Sequence, residues 1–369
     1  MPSSRTSRSS VPLTRLLPPP EPPHACFARQ PVIDGSLQPL GESLSLRWRD
    51  SARRAPPPPS PYATSLLLSQ TLLEAGLARR RPGCLFVEMD APTLASPIAD
   101  VLSGALGAIQ LPVDVPVQEP LTRRVAQLHA RGYRFALSGV VTPDDPRFAW
   151  LPMLSFVKLD ATLAPVSAWA PVLRVVEQAG AVLIADRLTE PADYVRLKAL
   201  GVRCFQGDLL CAPQEESPRP LPACDLDVIA RVGRLLRQGA PLDALGLAAG
   251  ADPALVIRLL MLQRLYAPGQ LPPASLAGTL AMLPEPALAG WLHVLRTCTF
   301  DLTPSTQSWS HAVREQIYNY RARLIGARLC ASPVELEAKV FDLYRRLCAR
   351  EPVKSTAPLL PEGAGADPR

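Results

Sequence analysis

The chain has 369 residues and a mass of 39.8 kDa, and 47% of its residues are hydrophobic. At roughly 150 residues per domain, this length predicts two to three domains, and the apolar fraction excludes a chain that is disordered throughout. No apolar run approaches the ~20 residues that a membrane-spanning helix needs, and the first residues lack the apolar segment of a signal peptide. We therefore expect a cytoplasmic protein with no membrane partner.

The formal net charge is +6, but aromatic residues do not alternate with the arginines that produce it. Proteins that read nucleic acids combine a basic patch with further motifs, so this composition does not support a nucleic-acid partner. Eight cysteines and four histidines are scattered without a C-x-x-C, H-E-x-x-H or H-D pair. This spacing predicts reduced cysteines and no metal site built from histidine or cysteine. Phosphate-loop and nucleophile-elbow motifs are also missing from the sequence.

Composition divides the chain into five parts. Residues 1–24 are rich in Ser, Arg and Pro and are expected to be a disordered tail. Residues 25–213 alternate short apolar runs with helical periods, as α/β domains do. A polar, Pro-rich linker follows at 214–224, then apolar residues at helical spacing over 225–350 predict an all-α domain, and 351–369 form a second disordered tail.

Strands and helices alternate in the first domain. The predicted strands are Phe27–Ile33, Leu40–Arg47, Cys84–Glu88, Tyr133–Leu137, Ser155–Leu159, Ala181–Ala185 and Arg203–Gln206. The predicted helices are Thr64–Ala75, Leu121–Arg131, Pro165–Gln178 and Pro191–Leu200. Because most connections between them are short, this repetition favours a parallel, TIM-like barrel over an antiparallel sandwich.

The second domain has apolar residues at helical spacing and almost no β-rich runs. Its predicted helices are Asp225–Arg237, Leu242–Ala249, Pro253–Leu265, Pro273–Leu283, Ala287–Cys298, Val313–Cys330 and Pro333–Arg350. Asp252-Pro253 and Ser332-Pro333 each place an N-cap side chain before a proline in the first helical turn.

Several segments of the first domain resemble the EAL-type cyclic di-GMP phosphodiesterase domain in order and spacing. They are CFARQPVIDGSLQPLGESLSLR, LHARGYRFALSGV, SFVKLD and LIADRLTEPADYVRLKALGVRCFQGDLLCAP, the last of which contains the family's FQG turn. In the second domain, DPALVIRLLMLQRL and LPPASLAGTLAMLPEPALAGWLHVL resemble the HDOD domain that often follows a variant EAL domain. The resemblance implies an α/β fold in which a TIM-like EAL barrel is followed by a smaller all-α HDOD-like domain.

The resemblance also implies divalent cations held by carboxylate and amide oxygens at the strand ends. Aligned through Gly41 and Arg47, this chain places Ser43 at the family's signature Glu, with Glu42 one residue early. Successive strand side chains point to opposite faces, so Glu42 is expected to be a solvent-facing carboxylate turned away from the ligand pocket. A β-bulge there would redirect Glu42 towards the pocket.

Other family ligands are also replaced. Ser138 and Gly139 stand where the family has paired aspartates, and neither can supply a negative charge. Glu88 stands at the place of an Asn ligand, Asp186 at the place of a Glu, and Pro116 at the place of another Glu. By the resemblance, the bridge between two cations is lost, so we predict no catalytic residue, no metal ligand and no cofactor.

Some family residues remain, among them Arg47, Lys158 and Gln206. Together with Glu88 and Asp186 they make up the vestigial ligand-binding set that we assign. Each of these three retained residues has a structural alternative. Lys158 could simply pair with an acid such as Asp186, Arg47 could pair with Asp50 at the surface, and Gln206 could be kept by turn geometry.

Three hypotheses follow. The first is a non-catalytic signal-transduction protein that acts through protein–protein interaction with signalling proteins that the sequence does not identify; a homodimer is left open by the resemblance. The second is a cyclic di-GMP receptor that binds without hydrolysis through Arg47 and Lys158. The third is a residual phosphodiesterase that uses Glu42, Glu88, Asp186 and Lys158.

Overall fold

The computed structural model describes residues 25–48, 58–77, 83–218, 221, 223–270, 273, 275–298 and Lys339. Its strands are Ala25–Asp34 (β1), Pro39–Trp48 (β2), Cys84–Glu88 (β3), Gly107–Leu111 (β4), Arg134–Val140 (β5), Phe156–Asp160 (β6), Val182–Asp186 (β7), Cys204–Phe205 (β8) and Gln214–Glu216 (β9). The helices between them are Pro61–Leu68 (α1), Ala91–Ala95 (α2), Glu119–Ala130 (α3), Val166–Gln178 (α4) and Pro191–Leu200 (α5). A π-helical turn continues α1 over Ser69–Glu74, and 3-10 helices span Pro97–Val101 and Pro146–Met153.

Strands β1 to β8 close into a barrel. From β2 to β8 each strand runs parallel to the next, and β1 closes the sheet by pairing antiparallel with both β2 and β8. The predicted α/β, TIM-like barrel is therefore confirmed.

Strand β4 is missing from the predicted set. Its sequence, GAIQL, begins with a glycine and is interrupted by Gln110, which weakens the apolar signal of a strand. Gly107 lies against β3, where an added Cβ would stand 2.1 Å from the Leu85 carbonyl oxygen. Glycine has a low β propensity, yet Gly107 is the residue that allows β3 and β4 to approach each other.

Residues 214–216, which the sequence analysis assigns to the linker, form β9. This strand pairs antiparallel with β1 over Phe27–Arg29, beyond the point where β8 ends. Arg29 of β1 donates to the Glu216 carboxylate over 2.5 Å. A polar stretch that is typical of a linker is therefore held on the sheet by backbone pairing and an ion pair.

Side chains cap several helix N-termini, and the predicted cap at Asp252 is among them, whereas the predicted cap at Ser332 lies outside the described residues. Side chains of Ser60, Asp90, Asp225, Asp252 and Ser275 each accept a hydrogen bond from a backbone N–H in the first turn of the following helix. A proline follows directly after Ser60 and Asp252, where its missing N–H costs nothing.

The lower half of the barrel interior is a closed apolar plug. It consists of Val32, Cys84, Phe86, Ala108, Ala136, Ile184 and Cys204, with Phe156 packed against them. These side chains alternate with outward-facing neighbours that join the larger core under the helices. Among the described residues, the plug closes the barrel interior below the carboxyl ends of β2 to β8.

The second half of the described chain is helical. Its helices are Leu226–Arg237 (α6), Leu242–Ala249 (α7), Pro253–Tyr266 (α8), Leu276–Ala281 (α9) and Glu285–Cys298 (α10). The predicted helices Val313–Cys330 and Pro333–Arg350 lie outside the described residues, apart from Lys339. None of the described helices has the length and hydropathy that crossing a bilayer requires.

The helical half packs directly on the barrel half. Trp291 donates to the Tyr266 hydroxyl at 2.9 Å, and that hydroxyl donates to the Val101 carbonyl oxygen at 2.6 Å. Helix α10 approaches the 3-10 helix Pro97–Val101 through Gly290, where an added Cβ would lie 2.5 Å from the Pro97 carbonyl oxygen. The two halves therefore share one continuous core.

We expect Gly290→Ala to lower the free energy of unfolding by about 2 kcal/mol, because the new methyl group meets backbone that cannot move aside. Chemical denaturation of the full chain measures the change. Gly233→Ala in α6 is the matched control, since its Cβ would meet nothing closer than Arg237 Nη1 at 3.6 Å. In that variant the higher helix propensity of alanine is expected to add up to about 1 kcal/mol. Equal effects of the two substitutions would contradict the close approach.

A buried carboxyl lies at the contact between the two halves. Burial raises the pKa of Glu74 to about 7, although Arg258 on α8 and hydrogen bonds from Ser69 and the Leu221 N–H favour its ionised form. Because its pKa is higher when folded than when unfolded, the contribution of Glu74 to stability is fully present below about pH 4.5. It is lost as the pH rises to about 7.

We expect the free energy of unfolding of Glu74→Gln, relative to the wild type, to be roughly 1–3 kcal/mol higher at pH 8 than at pH 5. The reason is that the buried glutamate must ionise at pH 8, whereas the amide stays neutral at both pH values. Urea unfolding at the two pH values measures it. Glu285→Gln removes an exposed carboxylate at the start of α10 and is the control. If Glu74→Gln and Glu285→Gln change with pH in the same way, Glu74 is not the buried acid described above.

Candidate functional site

Polar side chains line the open end of the barrel. On each of the strands β3 to β8, a polar residue lies two positions beyond a plug residue, towards the open end. Gln30 of the antiparallel β1 and Ser43 of β2 complete the ring. We term this set the polar mouth: Gln30, Ser43, Glu88, Gln110, Ser138, Lys158, Asp186 and Gln206. The two-residue repeat of β-strands, applied to each strand of a closed barrel, produces the ring.

Lys158 is the most deeply buried charged side chain of the mouth, with 1% of its surface exposed. Its Nζ donates to Ser43 Oγ at 2.6 Å and to Gln206 Oε1 at 2.9 Å, and it lies 4.7 Å from the centre of the Phe86 ring. Both hydrogen-bond partners are neutral. The alternative of a direct Lys158–Asp186 pair is not what the described residues form.

Burial lowers the pKa of Lys158, because desolvation disfavours the ammonium form. The charges of Asp186 and Glu88 raise it in part. Those carboxylates therefore act on Lys158 across a distance, while neutral oxygens hold its ammonium group. A buried ammonium group with only neutral hydrogen-bond partners lowers the stability of the folded state, and such groups are typical of functional sites.

A chain of amides continues from Lys158 along the rim. Gln206 donates from Nε2 to Gln30 Oε1 at 3.0 Å, and Gln30 donates from Nε2 to Asp208 Oδ1 at 2.9 Å and to the Cys211 carbonyl oxygen at 3.0 Å. Ser43 also donates to Gln206 Oε1 at 3.0 Å. The orientation of Gln206 is therefore set from both sides, beyond what turn geometry alone requires.

On the opposite side of the mouth, neutral donors hold Glu88. Gln110 Nε2 donates to its Oε2 at 2.8 Å, and the Ser138 hydroxyl is 3.3 Å from the same oxygen. Ser138 has a single hydroxyl proton, and its shorter hydrogen bond is to the Leu111 carbonyl oxygen at 3.0 Å. The carboxylate is thus oriented chiefly by the Gln110 amide.

The end of β5 has a shape of its own. The pairing of β5 with β6 shifts between Leu137 and Val140, and Gly139 has a φ of 62°. A Cβ on Gly139 would lie 2.3 Å from Val113 Cγ2. Arg147, which is 4% exposed, fixes this end by donating to the Ser138 carbonyl oxygen at 2.8 Å and to that of Pro112 at 3.0 Å.

Glu42 does not face solvent as expected. It is 6% exposed, and its Oε1 accepts a hydrogen bond from Arg29 Nη1 at 3.0 Å on the outside of the barrel. The expectation that it faces away from the mouth is met, because Ser43 takes the inward position. The expected exposure is wrong, because Arg29 also binds Glu216 of β9 and the three side chains form a largely buried ionic group.

Arg47 lies on the same face of β2 as Ser43, four residues nearer the open end. Its Nη1 is buried and has no hydrogen-bond partner among the described residues. Asp50, its expected surface partner, lies outside them.

The mouth does not fit the pair of divalent cations that the resemblance implies. Hard cations take six or more oxygens, several of them from carboxylates. Here Glu88 Oε2 accepts a hydrogen bond from Gln110, and Ser43 and Ser138 place hydroxyl groups at the mouth. Across the part of the chain described, no group of three or more His, Cys, Asp or Glu side chains is placed to hold a metal ion.

Four of the five predicted vestigial residues lie at the mouth: Glu88, Lys158, Asp186 and Gln206. Gln110 and Gln30 also lie there but are not in the predicted set, because β4 was not predicted and Gln30 belongs to no motif. Both are found by counting two residues from a plug side chain once the strand is known.

We expect Lys158→Met to raise the free energy of unfolding by about 1 kcal/mol, because the thioether fills the same space without a desolvated charge and the Ser43–Gln206 hydrogen bond remains. Thermal and urea unfolding at pH 7 measure it.

Lys198→Met is the matched control. The Lys198 ammonium group is exposed and bonds the Gly35 carbonyl oxygen, so no gain is expected from its removal. A loss of stability in Lys158→Met would mean that the ammonium group stabilises the barrel, contrary to the geometry above.

No protein-family model and no curated protein sequence matches the chain. Solved structures do, and EAL-domain proteins are among those similar to it. The EAL enzyme Bd1971, in a form with cAMP and cyclic di-GMP bound, is 13% identical with a TM-score of 0.43, and the match covers 52% of this chain and 62% of that one. The chain thus spans less than two thirds of that protein.

Two further structures are similar. The EAL-domain protein YkuI of Bacillus subtilis, in complex with cyclic di-GMP and calcium, is 14% identical with a TM-score of 0.45, over 53% of this chain and 57% of that chain. The EAL domain of Mycobacterium smegmatis DcpA is 17% identical with a TM-score of 0.41, over 51% of this chain and 92% of that chain.

Proposed function

We propose that this chain is a non-catalytic signal-transduction protein of cyclic di-GMP signalling, in which a degenerate EAL-like barrel and a degenerate HDOD-like helical domain act by binding signalling proteins. One observation carries the proposal. At the position that would supply the signature carboxylate, Ser43 binds the ammonium group of Lys158 instead. The centre of the mouth is thus a cation with neutral partners rather than a set of acids that binds cations.

The chemistry of phosphodiester hydrolysis supports this interpretation. Cutting a cyclic dinucleotide by the EAL route needs metal ions to polarise the phosphate and to lower the pKa of the attacking water. A hydroxyl and an amide oxygen beside Lys158 supply neither charge nor a base. The mouth can still bind polar groups, because its amides and hydroxyls are held in place by one another.

A receptor that binds cyclic di-GMP without hydrolysis is the second candidate. The buried Nη1 of Arg47, without a hydrogen-bond partner among the described residues, favours it, because a guanidinium can hold a phosphate where no metal does. Calorimetric titration of the full chain with cyclic di-GMP separates the candidates. Heat that is lost in Arg47→Ala supports the receptor, and no heat at tens of micromolar ligand removes it.

The residual phosphodiesterase has less support. It requires Glu42 in the mouth, whereas the Glu42 carboxylate binds Arg29 outside the barrel. A carboxylate committed to an arginine on that face cannot reach a ligand held by Lys158.

We expect the purified chain with Mg²⁺ or Mn²⁺ to leave cyclic di-GMP intact, because the mouth cannot hold the metal pair that the reaction needs. Chromatography of the nucleotide after incubation measures this. Metal-dependent conversion to the linear dinucleotide that disappears in Lys158→Ala would overturn the proposal. Conversion that persists in Lys158→Ala would point to a contaminating enzyme, and fresh preparations of both proteins would then be compared.

A further inference from the structure

We propose that Arg187 is a built-in cation that takes the place of a divalent metal ion at the ends of β6 and β7. The inference rests on the proposed non-catalytic function, and it names the residue that keeps divalent cations out of the mouth. It concerns Asp160 and Asp186, the acids at the ends of these two strands.

Arg187 binds both acids at once. Asp160 and Asp186 are paired in the register of β6 and β7, so they lie side by side at the open end. The guanidinium Nη1 of Arg187 is 3.2 Å from Asp160 Oδ2, and its backbone N–H donates to Asp186 Oδ1 at 2.9 Å. The guanidinium charge is thus paired with Asp160, although the Arg187 side chain is 66% exposed, whereas Asp186 receives a neutral backbone donor.

An unusual backbone conformation makes this double contact. Arg187 has a φ of 57°, which residues other than glycine, asparagine and aspartate rarely adopt. The conformation is held from both sides, since Ala161 N–H donates to the Asp186 carbonyl oxygen at 3.0 Å and Leu188 N–H donates to the Gln206 carbonyl oxygen at 3.1 Å. Strain that the surroundings maintain is typical of functional positions.

Asp160 offers a metal ion one carboxylate oxygen, and Arg187 binds that oxygen. Its Oδ1 accepts from the Thr162 backbone N–H at 3.0 Å, the Thr162 hydroxyl at 2.7 Å and the Leu163 N–H at 3.1 Å, and only 3% of its side chain is exposed. Only Oδ2 remains, and Arg187 occupies it. Divalent cations can bind through one or two carboxylates and complete their coordination with water, so Arg187 competes for the oxygen that a cation would share with Asp186.

Cations and anions lie close together at this edge. Lys158 and Arg187 are the cations, Asp160 and Asp186 the anions, and Lys158 lies two residues before Asp160 on the same inward face. Glu88 is the other acid of the polar mouth, and a divalent ion at this edge would be repelled by the two nearby cations. Because Arg187 is tethered beside its partners, it also acts at a high effective concentration against any ion from solution.

The test is a Mn²⁺ titration of the full chain, with free Mn²⁺ followed by electron paramagnetic resonance and thermal unfolding recorded with and without the ion. The variant is Arg187→Gly, because glycine adopts the same φ without strain. We expect its Mn²⁺ affinity to exceed that of the wild type at least tenfold, with a rise in the unfolding temperature on adding Mn²⁺ that the wild type does not show.

Two controls separate charge from shape. Arg187→Lys keeps the positive charge and is expected to behave like the wild type, whereas Asp160→Asn added to Arg187→Gly is expected to abolish the gain. The proposal fails if Arg187→Lys binds Mn²⁺ as tightly as Arg187→Gly, or if Arg187→Gly gains nothing.

If Arg187→Gly does not fold, the Mn²⁺ titration of the wild type tests the proposal by itself. Binding tighter than about 0.1 mM, within the range of weak protein cation sites, that is lost in Asp160→Asn would overturn the proposal, and no such binding supports it. The hydrolysis assay of the wild type tests the proposed function separately. If the wild type leaves cyclic di-GMP intact but binds Mn²⁺ at this site, the inference about Arg187 fails while the proposed function stands.

Discussion

The closed barrel forces every strand residue either inwards or outwards, and the chemistry of the mouth depends on that constraint. Glu42 and Ser43 illustrate it. The carboxylate falls on the outer face, where Arg29 and Glu216 neutralise it, and the hydroxyl falls on the inner face beside Lys158. A displacement of one residue in a strand that pairs on both edges cannot be undone by side-chain rotation, since the register of the whole strand would have to move.

The charged groups of the resulting mouth have partners within the chain. Lys158 binds neutral oxygens, Glu88 binds an amide, and Asp160 beside the mouth binds Arg187. In a metal-dependent barrel the ions would supply this positive charge, and the acids would be left without other partners. The arrangement is consistent with the proposed role in signalling through contacts rather than chemistry, and the roles of Lys158 and Arg187 follow from the same electrostatic balance.

Much of the barrel can be predicted from sequence, because its strands are short apolar runs separated by helical periods. The inward position of Ser43 also follows from counting residues. Strands β4 and β9 could not be predicted, because Gly107 and the acidic residues of β9 have low strand propensity and are held by neighbours distant in sequence. The contacts of Arg187 could not be predicted either, since a left-handed φ at an arginine leaves no pattern in the sequence.

Direct packing of the helical half on the barrel has a consequence for biosynthesis. β1 is synthesised early, but its pairing with β8 cannot form until Phe205 has been synthesised. The apolar surface around Pro97–Val101 remains uncovered until Trp291 and its neighbours have been synthesised. At roughly 5–20 residues per second, many seconds pass between these events. A nascent chain that stalls between the two halves would display an open sheet edge and a bare apolar face, the features that chaperones bind.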